Sequence, residues 1–286
     1  MPIRDILVCL DSSEAGEGRL RLALALARGR KARLTGLYVL AEPRVTAPPI
    51  GLGPMPPSTL PWSEPAAAAG PPREPERAEQ VEARFRSELR AAGLDGEWYL
   101  LDERDLSGLV GFANTVDLTI LGQESPEAPG DGGGLAPDRV VTEIGRPMLI
   151  VPYAGRFETV GRRALIAWDG SREAARALDD ALPLLEGAEA VTVICIGTRE
   201  AQLERARPAL DRVVRHLQRH AIKAREEEDL GGDIPISDLL LSRAADLGVD
   251  LIVAGAYHHS PMREALLGGV SRDLLRHMTV PVLMSH

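Results

Sequence analysis

The chain has 286 residues, carries a formal net charge of −9 and contains only 3% aromatic residues. This length suits two domains of about 140 residues each, and their cores must be aliphatic. Arginines are scattered among acids, so the sequence lacks the basic stripe that is typical of proteins binding nucleic acid. Nucleic acid is therefore excluded as an expected partner.

Three features predict a soluble cytoplasmic protein without a membrane partner. No apolar run approaches the roughly 18 residues of a transmembrane helix, and an acid near the N-terminus argues against a signal peptide. Cys9 and Cys195 each lie within an apolar run, far apart in the chain. Two isolated buried thiols are typical of a reducing compartment and do not form a disulfide framework.

Apolar runs without strict alternation predict the strands of the first half, as expected for a sheet that is covered on both faces. These strands lie near residues 5–10, 33–39, 97–101, 117–121 and 147–151. Residues 41–75 are crowded with Pro, Ala and Gly and are predicted to form a long mobile loop. A role for this loop as a lid or in partner binding stays open. Residues 123–137 are predicted to be a second flexible loop.

The second half repeats the alternation of strands and helices after a segment of turn residues and charges at 152–161. Its predicted strands lie near residues 163–168, 190–196, 223–227, 250–254 and 280–284. Its predicted helices lie near residues 171–186, 200–220, 236–247 and 270–277.

An internal repeat relates the two halves. Residues 4–26 align with residues 162–184 at a constant offset of 158, so that Asp11 meets Asp169. In both copies a buried-strand run is followed by Asp, a small residue and Ser, and then by a helix with apolar positions at helical spacing. The sequence therefore predicts a duplicated domain.

We expect the first domain to span residues 1–153 and the second to span residues 159–286. Each domain is predicted to be an α/β unit with a doubly wound, parallel, five-stranded sheet and right-handed crossovers. In such sheets ligands bind beyond the carboxyl ends of the strands, where the strand order reverses.

A glycine motif follows the fourth strand of the second half. It reads Gly255-Ala-Tyr-His258, then nine residues, then Gly268-Gly269. This segment resembles the Gly-x2-Gly-x9-Gly-(Ser/Thr) motif of nucleotide-binding universal stress proteins, and the second half resembles that family along its whole length. His258 stands where the family has Gly, and Gly269 stands where it has Ser or Thr.

The resemblance implies an adenine nucleotide alpha hydrolase-like fold and a stress-response binding module. It implies ATP or another adenine nucleotide as ligand, with magnesium left open. It also places Asp169 at the ribose and Ile196 at the adenine. The full set of predicted cofactor-binding residues is Asp169, Ile196, Gly255, His258, Arg263, Gly268, Gly269, Val270 and Ser271.

The physical chemistry of the motif is independent of the resemblance. Glycines let backbone N–H groups approach phosphate oxygens, and the helix that begins near Gly269 offers unpaired N–H groups and the positive end of its dipole. The two departures from the motif could weaken binding by roughly 100-fold or more. The alternative interpretation is that Gly255 and Gly268 only shape a turn.

The first half is predicted to bind no nucleotide. Gly122 is retained, but the acids Glu124 and Glu127 follow it and would repel phosphate. Asp11 is interpreted as a strand-end cap for the helix that begins at Ser13.

No catalytic residue and no metal site are predicted. His216 and His220 are four residues apart on a helix dense in arginine, which favours a solvated face. His258 and His259 lack a third ligand nearby. The sequence contains neither a nucleophile-elbow Gly-x-Ser-x-Gly motif nor a phosphate-binding Gly-x4-Gly-Lys-(Ser/Thr) loop.

Members of the family often pair through their fifth strands, so the strands at 147–152 and 280–285 are expected to pair within the chain. The two domains would then pack as a pseudo-twofold dimer, and further homodimerisation stays open. Two alternative functions remain. One is a nucleotide-free scaffold for protein partners, with an apolar patch near the 41–75 loop. The other is a slow ATPase, for which no base or metal carboxylate is identified.

Overall fold

The structure is a computed structural model that describes residues 2–40, 74–102, 104–125, 136–256 and 269–286. Most of the loop predicted at 41–75 therefore lies outside the described residues, and its last two residues already belong to a helix. Residues 126–135, the centre of the loop predicted at 123–137, also lie outside the described residues.

The first half alternates strands and helices in the predicted order. Its strands are β1 (Asp5–Leu10), β2 (Arg33–Leu40), β3 (Gly96–Asp102), β4 (Leu118–Gly122) and β5 (Met148–Val151). Its helices are α1 (Glu14–Arg30), α2 (Glu74–Ala92), α3 (Leu106–Thr115) and the single turn α4 (Pro137–Val140).

The second half has the same order of elements. Its strands are β6 (Arg163–Ala167), β7 (Ala190–Gly197), β8 (Ala224–Leu230), β9 (Leu251–Gly255) and β10 (Val282–Ser285). Its helices are α5 (Arg172–Leu185), α6 (Glu200–Arg219), α7 (Ile236–Asp246) and α8 (Gly269–His277). Every predicted strand of both halves is present, with bounds that differ from the prediction by a few residues at most.

Equivalent serines start the first helix of each half. The Ser13 hydroxyl accepts a hydrogen bond from the Gly16 N–H at 3.0 Å, and the Ser171 hydroxyl accepts one from the Ala174 N–H at 3.0 Å. Each bond satisfies one of the N–H groups that lack a partner within the helix. The repeat seen in the sequence is therefore a repeat of local structure.

All described strands belong to one sheet, in the order β3-β2-β1-β4-β5-β10-β9-β6-β7-β8. Neighbours within each half are parallel, whereas β5 and β10 pair antiparallel, with Leu149 opposite Leu283. The expected pairing of the fifth strands is therefore present, and the two five-stranded sheets are continuous with each other. A pseudo-twofold packing of the two domains as wholes stays a prediction.

Both faces of the sheet are covered, which explains the unbroken apolar runs. Along β1, Ile6 and Val8 belong to one core cluster, and Leu7 and Cys9 belong to the other. Successive side chains of a strand point to opposite faces, so the two clusters lie on either side of the sheet. None of the described helices is long and apolar enough to cross a membrane.

Polar contacts between the halves accompany the central strand pair. Arg30 donates through Nη2 to the Pro183 carbonyl at 3.1 Å, and Arg176 donates through Nη2 to the Gly145 carbonyl at 3.2 Å. Each bond joins an arginine of one half to the main chain of the other.

Candidate functional site

A cavity of about 470 Å³ opens at the carboxyl end of the second half's sheet. It lies beside β6, which is hydrogen-bonded to β7 on one side and to β9 on the other. The chain order of the strands reverses there, so this is the position at which doubly wound sheets bind ligands. The volume is within the range of small-molecule sites.

The wall of the cavity is mostly apolar, with a few polar groups at its rim. The lining residues are Ala167, Trp168, Asp169, Ala174, Ile194, Cys195, Ile196, Thr198, Gln202, Ala206, Ile236, Leu240, Ala254, Gly255, Val270, Ser271 and Leu274. An apolar cavity with few polar groups suits a ligand that has a flat apolar part and a polar end.

Asp169 is an exposed carboxylate at the end of β6. Its Oδ1 atom accepts a hydrogen bond from the Ser171 N–H at 2.9 Å, which holds the side chain at the start of α5. Within the described part of the chain, no side chain donates to its Oδ2 atom. Among the described residues, this oxygen is therefore left as an acceptor at the rim of the cavity.

Gly255 ends β9 and packs against the first turn of α5. A Cβ atom at this position would lie 2.6 Å from the Ala174 nitrogen, which is closer than side chains and backbone approach each other. The Ser271 hydroxyl lies 3.5 Å from the Gly255 carbonyl oxygen, so the start of α8 lies close to the end of β9. Glycine is thus required at residue 255 by close packing within the fold.

Gly269 differs from Gly255 in this respect. It is the first residue of α8, is exposed, and a Cβ atom there would have no neighbour within 4 Å among the described residues. The next two residues, Val270 and Ser271, line the cavity. The N-terminal turn of α8, with N–H groups that the helix itself does not satisfy, is therefore at the cavity.

The structure brings together five of the predicted site residues around the cavity, and these are Asp169, Ile196, Gly255, Val270 and Ser271. Gly269 is adjacent to them at the start of α8. The remaining three, His258, Arg263 and Gly268, lie outside the described residues, as does His259.

Sequence reasoning missed most of the apolar wall. Ile236 and Leu240 come from α7, and Ala206 comes from α6. Each lies within a helix that the sequence predicts, but a helix prediction does not show which buried residues border a cavity. Trp168 had a local signal, since it directly precedes Asp169 at the end of β6.

Two titratable groups near the cavity have shifted pKa values. Burial raises the pKa of the Cys195 thiol, and the nearby carboxylates of Glu228 and Asp169 add to the effect, so this cavity-lining thiol is protonated at neutral pH. For Glu173, burial is the largest single influence and would raise the pKa. The hydrogen bond from the Arg172 guanidinium, a backbone hydrogen bond and the positive charges of Arg172 and His286 together outweigh burial and hold the pKa below its ordinary value.

The corresponding place in the first half is closed by an ion pair. Arg19 pairs through Nη2 with Asp11 Oδ2, and both side chains are almost fully buried, at 6% and 4% exposure. The guanidinium also covers Gly122, where any Cβ atom would overlap it. The offset of the repeat puts Ala177 opposite Arg19, so the second half has no arginine at this point.

The interpretation of Asp11 as a strand-end cap is thus only partly right. Its Oδ1 atom accepts a hydrogen bond from the Ser13 N–H at 2.8 Å, but Ser13 itself caps α1. The other carboxylate oxygen is committed to the buried pair with Arg19, a contact between residues eight apart that local capping patterns do not indicate.

Histidine pairs provide no metal site in the described part of the chain. His216 and His220 have ring centroids 4.7 Å apart on α6. Among the described residues, no three His, Cys, Asp or Glu side chains are grouped closely enough to hold a metal ion.

The fold and the cavity together define an α/β protein with two similar halves. The second half has a cavity of a size suited to a small molecule, at the switch point where its strand order reverses. Residues 161–286 match the universal stress protein family. A universal stress protein of Synechocystis sp. is 25% identical over 222 residues, which is 73% of this chain and 71% of that protein. The second half of the chain, residues 161–286, is therefore a universal stress protein domain.

One solved structure has the same fold across the whole chain. A universal stress protein from Archaeoglobus fulgidus aligns with a TM-score of 0.70 and 17% identity, covering 98% of this chain and 95% of its own. A universal stress protein from Archaeoglobus fulgidus in complex with dAMP covers 43% of this chain and 95% of its own, with 22% identity and a TM-score of 0.36. The long match in particular has the same α/β architecture across both halves of this chain.

Proposed function

We propose that the second half binds an adenine nucleotide such as ATP, and that the chain works in the stress response as a binding or signalling module, located in the cytoplasm, without turnover. The observation that carries the proposal is the cavity at the switch point, which combines an apolar wall, a carboxylate with one available oxygen, and the start of a helix.

The apolar wall suits the base. Ile194 and Ile196 lie at the end of β7, and Ile236 and Leu240 face them from α7. A flat, largely apolar ring that enters this space would remove aliphatic surface from water, at about 25 cal/mol for each Å². Ile196 is the residue that the family resemblance puts against adenine.

The rim suits the sugar and the phosphates. The Oδ2 atom of Asp169 would accept hydrogen bonds from ribose hydroxyls, since charged acceptors form stronger bonds than neutral ones. The N–H groups at the start of α8, from Gly269 to Ser271, would meet phosphate oxygens, assisted by the helix dipole. His258, Arg263 and Gly268 complete this proposed set from the sequence motif. Magnesium would enter only with the nucleotide.

The first half has a different role in this proposal. The buried pair of Arg19 and Asp11 satisfies the carboxylate that would otherwise meet a ribose, so one nucleotide is proposed for each chain. We propose that the domain without a nucleotide spans residues 1–153 and that the nucleotide-binding domain spans residues 159–286.

A thermal-shift titration tests the proposal. If ATP binds with a Kd of about 100 μM, then about 5 mM Mg-ATP stabilises the native state by about 2.3 kcal/mol. For a protein of this size that raises the melting temperature by about 5 °C. The Asp169→Asn variant keeps an oxygen for the Ser171 N–H but loses the charge, so it is expected to lose most of the shift.

A matched control is the Asp105→Asn variant. Asp105 is likewise an exposed carboxylate that accepts from a helix N–H, here Gly108 at 2.8 Å, and it lies in the first half away from the cavity. It should keep the full shift. No shift in the wild type, or equal shifts in the Asp169 and Asp105 variants, would argue against the site. Phosphate release well above the buffer rate would favour the ATPase alternative.

A further inference from the structure

Gln123 of the first half reaches across to the last helix of the second half. It follows β4, at the point where the first half has lost the glycine motif. Its Nε2 atom donates to the carbonyls of Leu275 and Arg276, each at 2.9 Å, and its Oε1 atom accepts from the Tyr153 N–H at 3.3 Å. The residue is buried, with 8% exposure, so these contacts are shielded from water.

The two carbonyls belong to the C-terminal end of α8. The last four carbonyls of a helix have no partner within it, and Gln123 satisfies two of them from outside. A second contact joins the first half to α8. The Nε atom of Arg272 in α8 lies 4.0 Å from the Oδ2 atom of Asp138 in α4. The first half therefore holds α8 at two points.

The other end of α8 is at the proposed nucleotide site. Val270, Ser271 and Leu274 line the cavity. The helix has nine residues and is about 13 Å long, so its two ends are coupled through one short, hydrogen-bonded element. A tilt that begins at its C-terminal end would displace the N–H groups that face the cavity.

We infer that Gln123 is a positioning residue through which the first half sets the nucleotide affinity of the second half. This inference rests on the proposed function. The ends of β4 and β9 align Gly122 with Gly255, so Ala256 stands opposite Gln123. An alanine side chain cannot donate, so the described residue at the equivalent position of the second half makes no such clamp. The degenerate first half thus acts as a support for the half that binds.

Two variants separate this role from simple packing. Gln123→Glu keeps the shape of the side chain and an acceptor for the Tyr153 N–H, but it loses the donors that bind α8. Gln123→Met loses donors and acceptor together and keeps the volume. If Gln123 served only to anchor Tyr153, the Glu variant would behave like the wild type. The matched control is Arg30→Met, which removes a different bond between the halves, the one to the Pro183 carbonyl.

The experiment combines hydrogen exchange of residues 270–277 with calorimetric titration of ATP, on the full chain. Both Gln123 variants are expected to exchange the amides of α8 about tenfold faster and to bind ATP about five- to tenfold more weakly, as the loss of about one buried hydrogen bond predicts. The Arg30 variant should change neither.

Unchanged exchange in α8, or an ATP affinity equal to that of the wild type, would overturn the inference. Equal effects in the Arg30 variant would do the same, since the role would then not belong to Gln123. A wild-type chain that binds no ATP refutes the proposed function, and the exchange of α8 still decides separately whether Gln123 holds the helix.

Discussion

Replacing Arg19 by Leu should destabilise the protein far more than replacing a surface arginine. Arg19 and Asp11 are 6% and 4% exposed, so the substitution leaves a carboxylate buried without its partner. Breaking one side of a buried ion pair typically costs about 3–5 kcal/mol. The Arg19 Nε atom is buried without a hydrogen-bond partner in the described part of the chain, which reduces the benefit of the pair. We therefore expect Arg19→Leu to lower the free energy of unfolding by about 3 kcal/mol, the lower end of that range.

A double-mutant cycle isolates the pair. The Asp11→Asn and Arg19→Leu changes together should cost less than the sum of the two single changes, with a coupling of about 2 kcal/mol, since the double variant buries no unpaired charge. The control is Arg33→Leu, because Arg33 pairs with Glu97 on the surface, at 49% and 45% exposure. Exposed pairs contribute about 0–1 kcal/mol.

Urea unfolding followed by circular dichroism measures these differences, provided that the dependence on urea is the same in all variants. The reasoning would be refuted if Arg19→Leu cost no more than Arg33→Leu, or if the two changes of the cycle were additive. Either result would mean that the buried pair of Arg19 and Asp11 does not stabilise the first half.

Three further predictions concern the second half and the two thiols. Gly255→Ala should destabilise the protein by about 2 kcal/mol, because its Cβ atom would lie 2.6 Å from the Ala174 nitrogen. Gly269→Ala, whose Cβ atom would have no neighbour within 4 Å among the described residues, should change the urea midpoint little. ATP should slow the alkylation of Cys195 about fivefold or more, since this thiol lines the cavity, and should leave the alkylation of Cys9 unaffected. Mass spectrometry measures both rates, and equal protection of the two thiols would count against the site. Burial raises the pKa of Cys9 to about 12 from an ordinary 9.0, so between these pH values only the native state keeps the proton. The free energy of unfolding should therefore fall as pH rises through this window, by up to about 1.4 kcal/mol per pH unit. Cys9→Ala should remove this contribution to the decline between thermal scans at pH 8 and pH 10.5. An unchanged decline would show that Cys9 does not contribute.

The strands and helices could be predicted from the sequence because each is marked locally. The buried strands are unbroken apolar runs, and the caps Ser13 and Ser171 stand where the helices begin. The pairing of β5 with β10 was expected from the family resemblance, and the structure adds its antiparallel register. The position of the cavity followed from the strand order, since Asp169 lies two residues beyond the end of β6, at the switch point.

Contacts across the sheet could not be predicted in the same way. Arg19 was an arginine on a mostly apolar helix face, and only its position opposite Ala177 in the repeat hinted at a special role. Gln123 donates to carbonyls 152 and 153 residues further along the chain. That contact depends on how β5 and β10 bring the halves together, which no local pattern describes.

Photolabelling with an azido-adenine analogue of ATP, followed by peptide mapping, tests the central claim most directly. The account predicts one label per chain, in peptides that contain Ile196 or the α7 residues Ile236 and Leu240, and competition by unlabelled ATP. Labelling of the first half around Arg19, or labelling that ATP does not compete for, would contradict it.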